Sequence, residues 1–122
     1  MKVIVAGSRS VADYSIVKEA IKYATKRKPA TQIVSGTARG VDTLGERWAG
    51  DNDIPVARFP ANWKEYGKRA GYLRNAEMAD YADALVAIWD GQSRGTKHMI
   101  DLAKQLGLKV YVKRVQGETG RE

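Results

Sequence analysis

Apolar positions along the chain keep two rhythms. Short, nearly continuous apolar runs occur at Val3–Ala6, Gln32–Val34, Val56–Phe59, Ala84–Trp89 and Lys109–Val112. They are mostly rich in β-branched residues and apolar at successive positions, as expected of strands covered on both faces. Between them the spacing turns helical. Val17, Ala20, Ile21 and Ala24 fall at i, i+3, i+4 and i+7; Val41, Leu44, Trp48 and Ala49 fall at i, i+3, i+7 and i+8. Met99, Ile100, Ala103 and Leu106 form a similar stripe, and residues 71–82 an alanine-rich helix with Tyr72, Ala76 and Ala79 on one face. Asp13 suits the first helix as an N-cap, Lys26-Arg27-Lys28-Pro29 ends it, and Gly107 stands where the last helix should close. The order β-α-β-α-β-loop-α-β-α-β predicts an α/β fold. The expected architecture is a Rossmann-like three-layer sandwich around a five-stranded, mainly parallel sheet.

Composition narrows the chemistry. A chain of 122 residues, 43% hydrophobic and 29% charged, is one folded domain rather than a disordered segment. The domain is expected over residues 1–113, with a polar tail over 114–122. Cysteine is absent, which excludes disulfides, thiolate nucleophiles, zinc–thiolate sites and iron–sulfur clusters. His98 is the single histidine, so no multi-histidine metal site exists. No metal and no cofactor is expected. No apolar run approaches the roughly 20 residues of a membrane span, and the first strand is too short to serve as a signal peptide. A cytoplasmic protein without a membrane partner is the expectation. Lys and Arg exceed Asp and Glu by 21 − 14 = 7 charges, a balance that suits phosphorylated ligands, polyanions or plain solubility. The position of the arginines has to decide among these.

In an open parallel sheet, ligands bind beyond the carboxyl ends of the strands. After the first strand comes Gly7-Ser8-Arg9-Ser10, a tight turn with a hydroxyl and a cation suited to phosphate. After the second comes Ser35-Gly36-Thr37-Ala38-Arg39-Gly40-Val41-Asp42, whose glycines suit a backbone nest for an anion. Asp42 could accept hydrogen bonds from a ribose, or simply complement the helix N-terminus. After the third, a polar loop from Pro60 to Arg69 carries Trp63 and Tyr66, on which a base could stack or which could pin the loop to the body. The next helix begins Gly71-Tyr72-Leu73-Arg74-Asn75. After the fourth strand comes Asp90-Gly91-Gln92-Ser93-Arg94-Gly95-Thr96, another glycine-bearing loop opening a helix.

Arg9, Arg39, Arg74 and Arg94 all map to one edge of the expected sheet. Unrelated surface arginines would scatter over both edges, so a shared anionic ligand explains the convergence. Lys26-Arg27-Lys28 lies at the opposite edge and reads as a solvated helix end. Trp48, on the apolar stripe of its helix, reads as core, and His98 is poorly placed for catalysis.

As a set, Gly7-Ser8-Arg9, Ser35 to Asp42, Gly71 to Asn75 and Asp90 to Thr96 resemble the SLOG superfamily of Rossmann-like domains, most closely its small YspA-type members. The resemblance runs from Met1 to about Lys113. It implies binding of a nucleotide or nucleotide-derived ligand in these loops. Lonely-guy-type phosphoribohydrolases end a related motif with a glutamate that serves N-glycosidic cleavage. Here Arg94-Gly95-Thr96-Lys97-His98-Met99 aligns with that end and Met99 takes the glutamate's place, leaving Asp42, Glu46 or Asp90 as candidate substitutes. The DNA-processing protein of natural transformation has a similar Ser-Gly-x-Ala-Arg-Gly-Ile-Asp stretch. By that likeness the basic edge would hold single-stranded DNA.

The reading is therefore a small ligand-binding domain that senses or sequesters a nucleotide. Amides at Gly7–Arg9, Gly36–Gly40 and Gly91–Thr96 would cradle phosphates and the four arginines would neutralise them. Ser35, Thr37, Asn75, Ser93 and Gly95 belong to the same loops. Convergence of the arginines favours a compact ligand over a long polyanion. A small domain with exposed helix faces is also expected to form a homo-oligomer.

Overall fold

The computed structural model describes residues 1–116. It follows the expected alternation: β1 (Lys2–Gly7), α1 (Tyr14–Ala24), β2 (Gln32–Ser35), α2 (Val41–Asp51), β3 (Val56–Arg58), α3 (Trp63–Tyr66), α4 (Ala70–Tyr81), β4 (Ala84–Trp89), α5 (Arg94–Gln105) and β5 (Lys109–Arg114). The strands form one sheet in the order β3-β2-β1-β4-β5, and every neighbouring pair is parallel. This is the three-layer α/β sandwich expected from the sequence, with a sheet parallel throughout.

Strand alternation sorts the core into two layers. Val3 and Val5 of β1 face α1 and α2, meeting Val17, Ile21, Val41 and Ala49. Ile4 and Ala6 face α4 and α5, meeting Met78, Ala79, Met99 and Ile100. Successive β1 residues are thus buried on opposite faces, which explains the unbroken apolar run. Asp13 caps α1 by accepting from the Ser15 amide at 2.9 Å, and Gly107 closes α5 at φ +82°.

Three local expectations are corrected. The buried face of α4 carries Ala70, Asn75, Met78 and Ala79, whereas Tyr72 is exposed. Asn75, Met78, Ala79 and Ala82 keep an i, i+3, i+4, i+7 spacing; the tyrosine belongs to the adjoining surface. Leu106 is not part of the α5 stripe but its exposed C-cap. The polar stretch after β3 is helical: α3 is capped by Asn62, whose Oδ1 accepts from the Glu65 amide at 3.1 Å, and a 3-10 turn over Gly67–Arg69 leads into α4. Trp48 is half-buried against the α1–α2 side of the core.

Arg114 completes β5, and the Val115 amide donates to the Trp89 carbonyl at 2.8 Å. The rest of the expected polar tail, residues 117–122, lies outside the described residues. Among the described residues no helix is long and apolar enough to cross a membrane.

Candidate functional site

The strand order reverses between β1 and β4, because the chain winds from β1 towards β3 on one side and from β4 to β5 on the other. At such a switch point two connections part and leave a crevice above the strand ends. Here the crevice is a cavity of about 570 Å³. Its floor is Ala6, Met78 and Met99, and its rim includes Ser8 and Arg9 after β1 and Asp90 after β4.

Close backbone contacts hold the rim together. Ser8 is buried; its amide donates to Ile88 O at 3.1 Å and its Oγ accepts from the Asp90 amide at 3.1 Å. The loops after β1 and β4 are thereby bolted together. Gly40 begins α2 at φ +79°, where a Cβ would lie 2.6 Å from Ser8 O and 2.7 Å from Arg9 Cα. Only glycine lets α2 start this close to the β1 loop.

Several backbone amides of the expected phosphate cradle are engaged within the loops themselves. The Thr37 amide donates to Ser35 Oγ at 3.1 Å and the Ala38 amide to Asp42 Oδ2 at 3.2 Å. The Gln92 and Ser93 amides donate to Asp90 Oδ1 at 2.8 and 2.9 Å, and the Thr96 amide to Ser93 Oγ. The Ser8 amide is engaged by Ile88 O, and the cleft also presents cationic side chains. Arg9, Lys68 and Arg74 line it.

Arg74 is held in place. Nη1 donates to Gly36 O and Nε to Asn75 Oδ1 at 3.1 Å. Asn75 Nδ2 donates in turn to Gly95 O at 3.2 Å and meets His98 Nδ1 at 3.1 Å. Because the asparagine nitrogen is a donor, His98 Nδ1 is the acceptor and the imidazole proton sits on Nε2. Burial favours this neutral form by lowering the His98 pKa, against the opposing charge of Asp101. The His98 ring packs against Tyr72 with centroids 4.6 Å apart and the planes tilted by 60°. His98, passed over in the sequence, is thus a positioning residue for the arginine.

Asp42 is the buried counter-charge, only 5% exposed. Burial pushes its carboxyl up to about 6; the Ala38 amide and the Arg74 charge pull it back, Glu46 adds to the rise, and the Gly36 amide opposes it. Asp90 sits below the ordinary carboxylate range: burial would raise it, but the Ser93 and Gln92 amides and Ser8 outweigh that. Glu46 is engaged elsewhere, accepting from Ser35 Oγ at 2.6 Å and pairing with Arg58 at 2.9 Å, and it does not line the cleft. Met99, at the position of the hydrolase glutamate, is fully buried beneath the cavity.

The structure brings Gly7, Ser8, Arg9, Asp42, Trp63 and Arg74 into the cavity lining together with Asn75, Ser93, Gly95 and Thr96. Gly36, Thr37 and Arg39 line an adjoining hollow. Ser35, Gly40, Tyr66, Gly91 and Arg94 stand outside both. Ser35 and Gly40 act on the loop's shape. Gly91, at φ +84°, makes room for the Arg114 guanidinium, which lies over Trp89 at 5.3 Å. Tyr66 and Arg94 are exposed. Lys68 and Tyr72, not among the expected site residues, complete the mouth beside Trp63, which is 52% exposed. The Met78–Ala79–Ala82 stripe is the signal that would have turned Tyr72 outward.

Residues 1–66 match the model of the family of YspA and cpYpsA-related SLOG proteins. The chain belongs to this SLOG family. The matched segment runs from β1 through α3, so it holds Arg9, Asp42 and Trp63, whereas Arg74, Asn75 and Thr96 follow it. A second likeness spans both halves of this SLOG chain: it is 37% identical over 117 residues to the Gene 61 protein of Mycobacterium phage D29, covering 89% of this chain and 93% of that protein. No solved structure matches the chain. Membership suggests nucleotide-related ligand binding or a related function.

Proposed function

We propose that the cleft binds a nucleotide or nucleotide-derived phosphorylated ligand, which the protein senses or sequesters. The observation that carries this reading is the meeting of Arg9 and Arg74 with an exposed Trp63 around one cavity at the sheet's switch point. Guanidinium groups neutralise phosphate and bond it in a planar fork. Trp63 offers a ring for a base to stack on. Asp42 supplies an acceptor for sugar hydroxyls.

The test is thermal unfolding with AMP, ADP and ATP, and with the uridine and guanosine equivalents. A ligand at about 100 times its dissociation constant adds about 2.7 kcal/mol, and the melting temperature rises accordingly. Arg9→Ala removes one exposed cation without touching the fold and weakens binding about tenfold or more. Neutralising Lys26, Arg27 and Lys28 at the other sheet edge leaves it unchanged. Absence of any shift across all nine nucleotides overturns the reading.

A second reading, hydrolysis of a nucleotide N-glycosidic bond, draws on Asp42 alone. A cleft-lining carboxyl with a pKa of about 6 is poised for proton transfer at neutral pH. Met99 speaks against a relationship to the glutamate-dependent hydrolases. Chromatography of AMP after incubation settles it: released adenine supports hydrolysis, and intact AMP leaves binding as the function.

A further inference from the structure

The opposite edge of the sheet holds another hollow, of about 360 Å³, which shares no lining residue with the cleft. Its size falls within that of a small-molecule pocket, about 300–1,000 Å³. It opens between the end of α1 and the edge strand β5. α1 packs on β4, while α5 covers β4 and β5 from the other face. The near side of β5 is thereby left beside the flank of α1.

Strand register builds the floor. Val3, Ala84 and Lys109 form one row across the sheet, and Val5, Val86 and Tyr111 form the next row on the same face. Val3, Ala84 and Val86 give the hollow an apolar floor, with Lys109 and Tyr111 at its β5 side. Tyr111 meets Tyr23 of α1, the ring centroids 5.0 Å apart and the planes tilted by 43°. Lys26 Nζ lies 5.0 Å from the centroid of the Tyr23 ring, which holds its charge at the rim. Arg27 and Lys28 continue that rim.

Charge gives the hollow its selectivity. Lys26, Arg27, Lys28 and Lys109 are exposed, and no carboxylate stands among the described lining residues. Among the described residues none of these four cations forms an ion pair. Cations beyond the end of a helix complement its dipole, but Lys109 is supplied by β5, so the charges converge from two elements. The tyrosine hydroxyls are the only side-chain oxygens in the described lining. A sugar or a nucleobase would find few acceptors there. One apolar floor and one cationic rim suit a molecule with one apolar body and one anionic head.

We propose that this hollow binds an amphiphilic carboxylate. Its apolar body lies on Val3, Ala84 and Val86 beside the two tyrosines, and its head lies among Lys26, Arg27, Lys28 and Lys109. The site is independent of the nucleotide reading of the cleft.

Amide NMR of the whole chain tests it with octanoate and decanoate, each below its micelle-forming concentration. Decyltrimethylammonium serves as the cation of matching tail. Saturable shifts are expected at Tyr23, Ala24, Val86 and Lys109 to Tyr111, with Arg9 and Gly71 in the cleft unmoved. Each buried methylene is worth about fourfold in affinity, so decanoate should bind about tenfold or more tightly than octanoate. The double variant Lys26→Gln, Lys109→Gln, at two exposed positions, should weaken decanoate about fivefold and leave the spectrum away from the hollow as in wild type. An ammonium that binds as tightly as decanoate, or a double variant of unchanged affinity, overturns the anionic head. Decanoate no tighter than octanoate overturns the apolar floor. Shifts centred on the cleft, or no saturable shift with either acid, overturn the site. A response to phosphatidylglycerol vesicles without one to the free acids overturns the free ligand in favour of a membrane contact.

Discussion

Replacing the Asp42 carboxyl by an amide, in the variant Asp42→Asn, separates the cleft's chemistry from its stability. In the folded chain the Asp42 carboxyl titrates at about 6 rather than at its ordinary 3.8. One pKa unit corresponds to about 1.36 kcal/mol, so the difference between the two values amounts to about 3 kcal/mol. The folded pKa is the higher one, so the native state holds the proton more tightly than the unfolded chain. The stabilising contribution is complete below about pH 4 and is lost as pH rises through 6. At pH 7 the folded protein therefore carries a buried charge that destabilises it. The variant's amide would not titrate, yet its side-chain oxygen would still accept from the Ala38 amide. Urea unfolding of wild type and Asp42→Asn at pH 4, 5, 6 and 7 should show the difference moving in the variant's favour. The change expected across that range is about 2–3 kcal/mol. Nucleotide affinity at pH 7 should fall over the same substitution, the pattern expected where a functional group is kept at the expense of stability. A difference that stays flat with pH, or moves the other way, refutes the burial argument for Asp42.

Other substitutions probe the frame around the cleft. Gly40→Ala forces a Cβ onto Ser8 O and the Arg9 backbone at a φ that disfavours alanine; a loss on the order of 3 kcal/mol in chemical unfolding is expected. Ser8→Ala leaves the Asp90 amide without its acceptor and should lower stability by about 1–3 kcal/mol by the same measurement. Nitrogen NMR of the His98 ring at pH 7 should show a neutral imidazole protonated on Nε2; a protonated Nδ1 would contradict the Arg74–Asn75–His98 chain.

Much of the fold can be read along the chain because its signals are local. Val3 to Ala6 is apolar at every position, which suits a strand buried on both faces, and Val17, Ala20 and Ile21 show helical spacing with nothing to compete. Chain direction then places Ser8, Asp42 and Asp90 at one sheet edge. The use made of each polar group is a different matter. The loops at Gly36–Gly40 and Gly91–Thr96 have the composition of an anion nest, yet Ser35, Asp42, Asp90 and Ser93 turn inward and occupy several of the amides. One-dimensional spacing cannot distinguish a hydroxyl that faces a ligand from one that faces its own backbone. Asn75 and His98 lie 23 residues apart, and only the packing of α4 on α5 reveals them as partners. Tyr72 was hidden by phase: alanines at several positions of α4 fit more than one helical stripe, and Asn75 and Met78 decide which is buried.

The central claim is that a nucleotide occupies the crevice above β1 and β4, held by Arg9 and Arg74. Amide NMR during titration with ADP and UDP tests this most directly. The account predicts saturable shifts at Arg9, Ser10, Ala38, Gly71 and Gly95, with the amides of Tyr23 to Lys28 unmoved. Shifts centred on Tyr23 to Lys28, or none at either edge of the sheet, would contradict it.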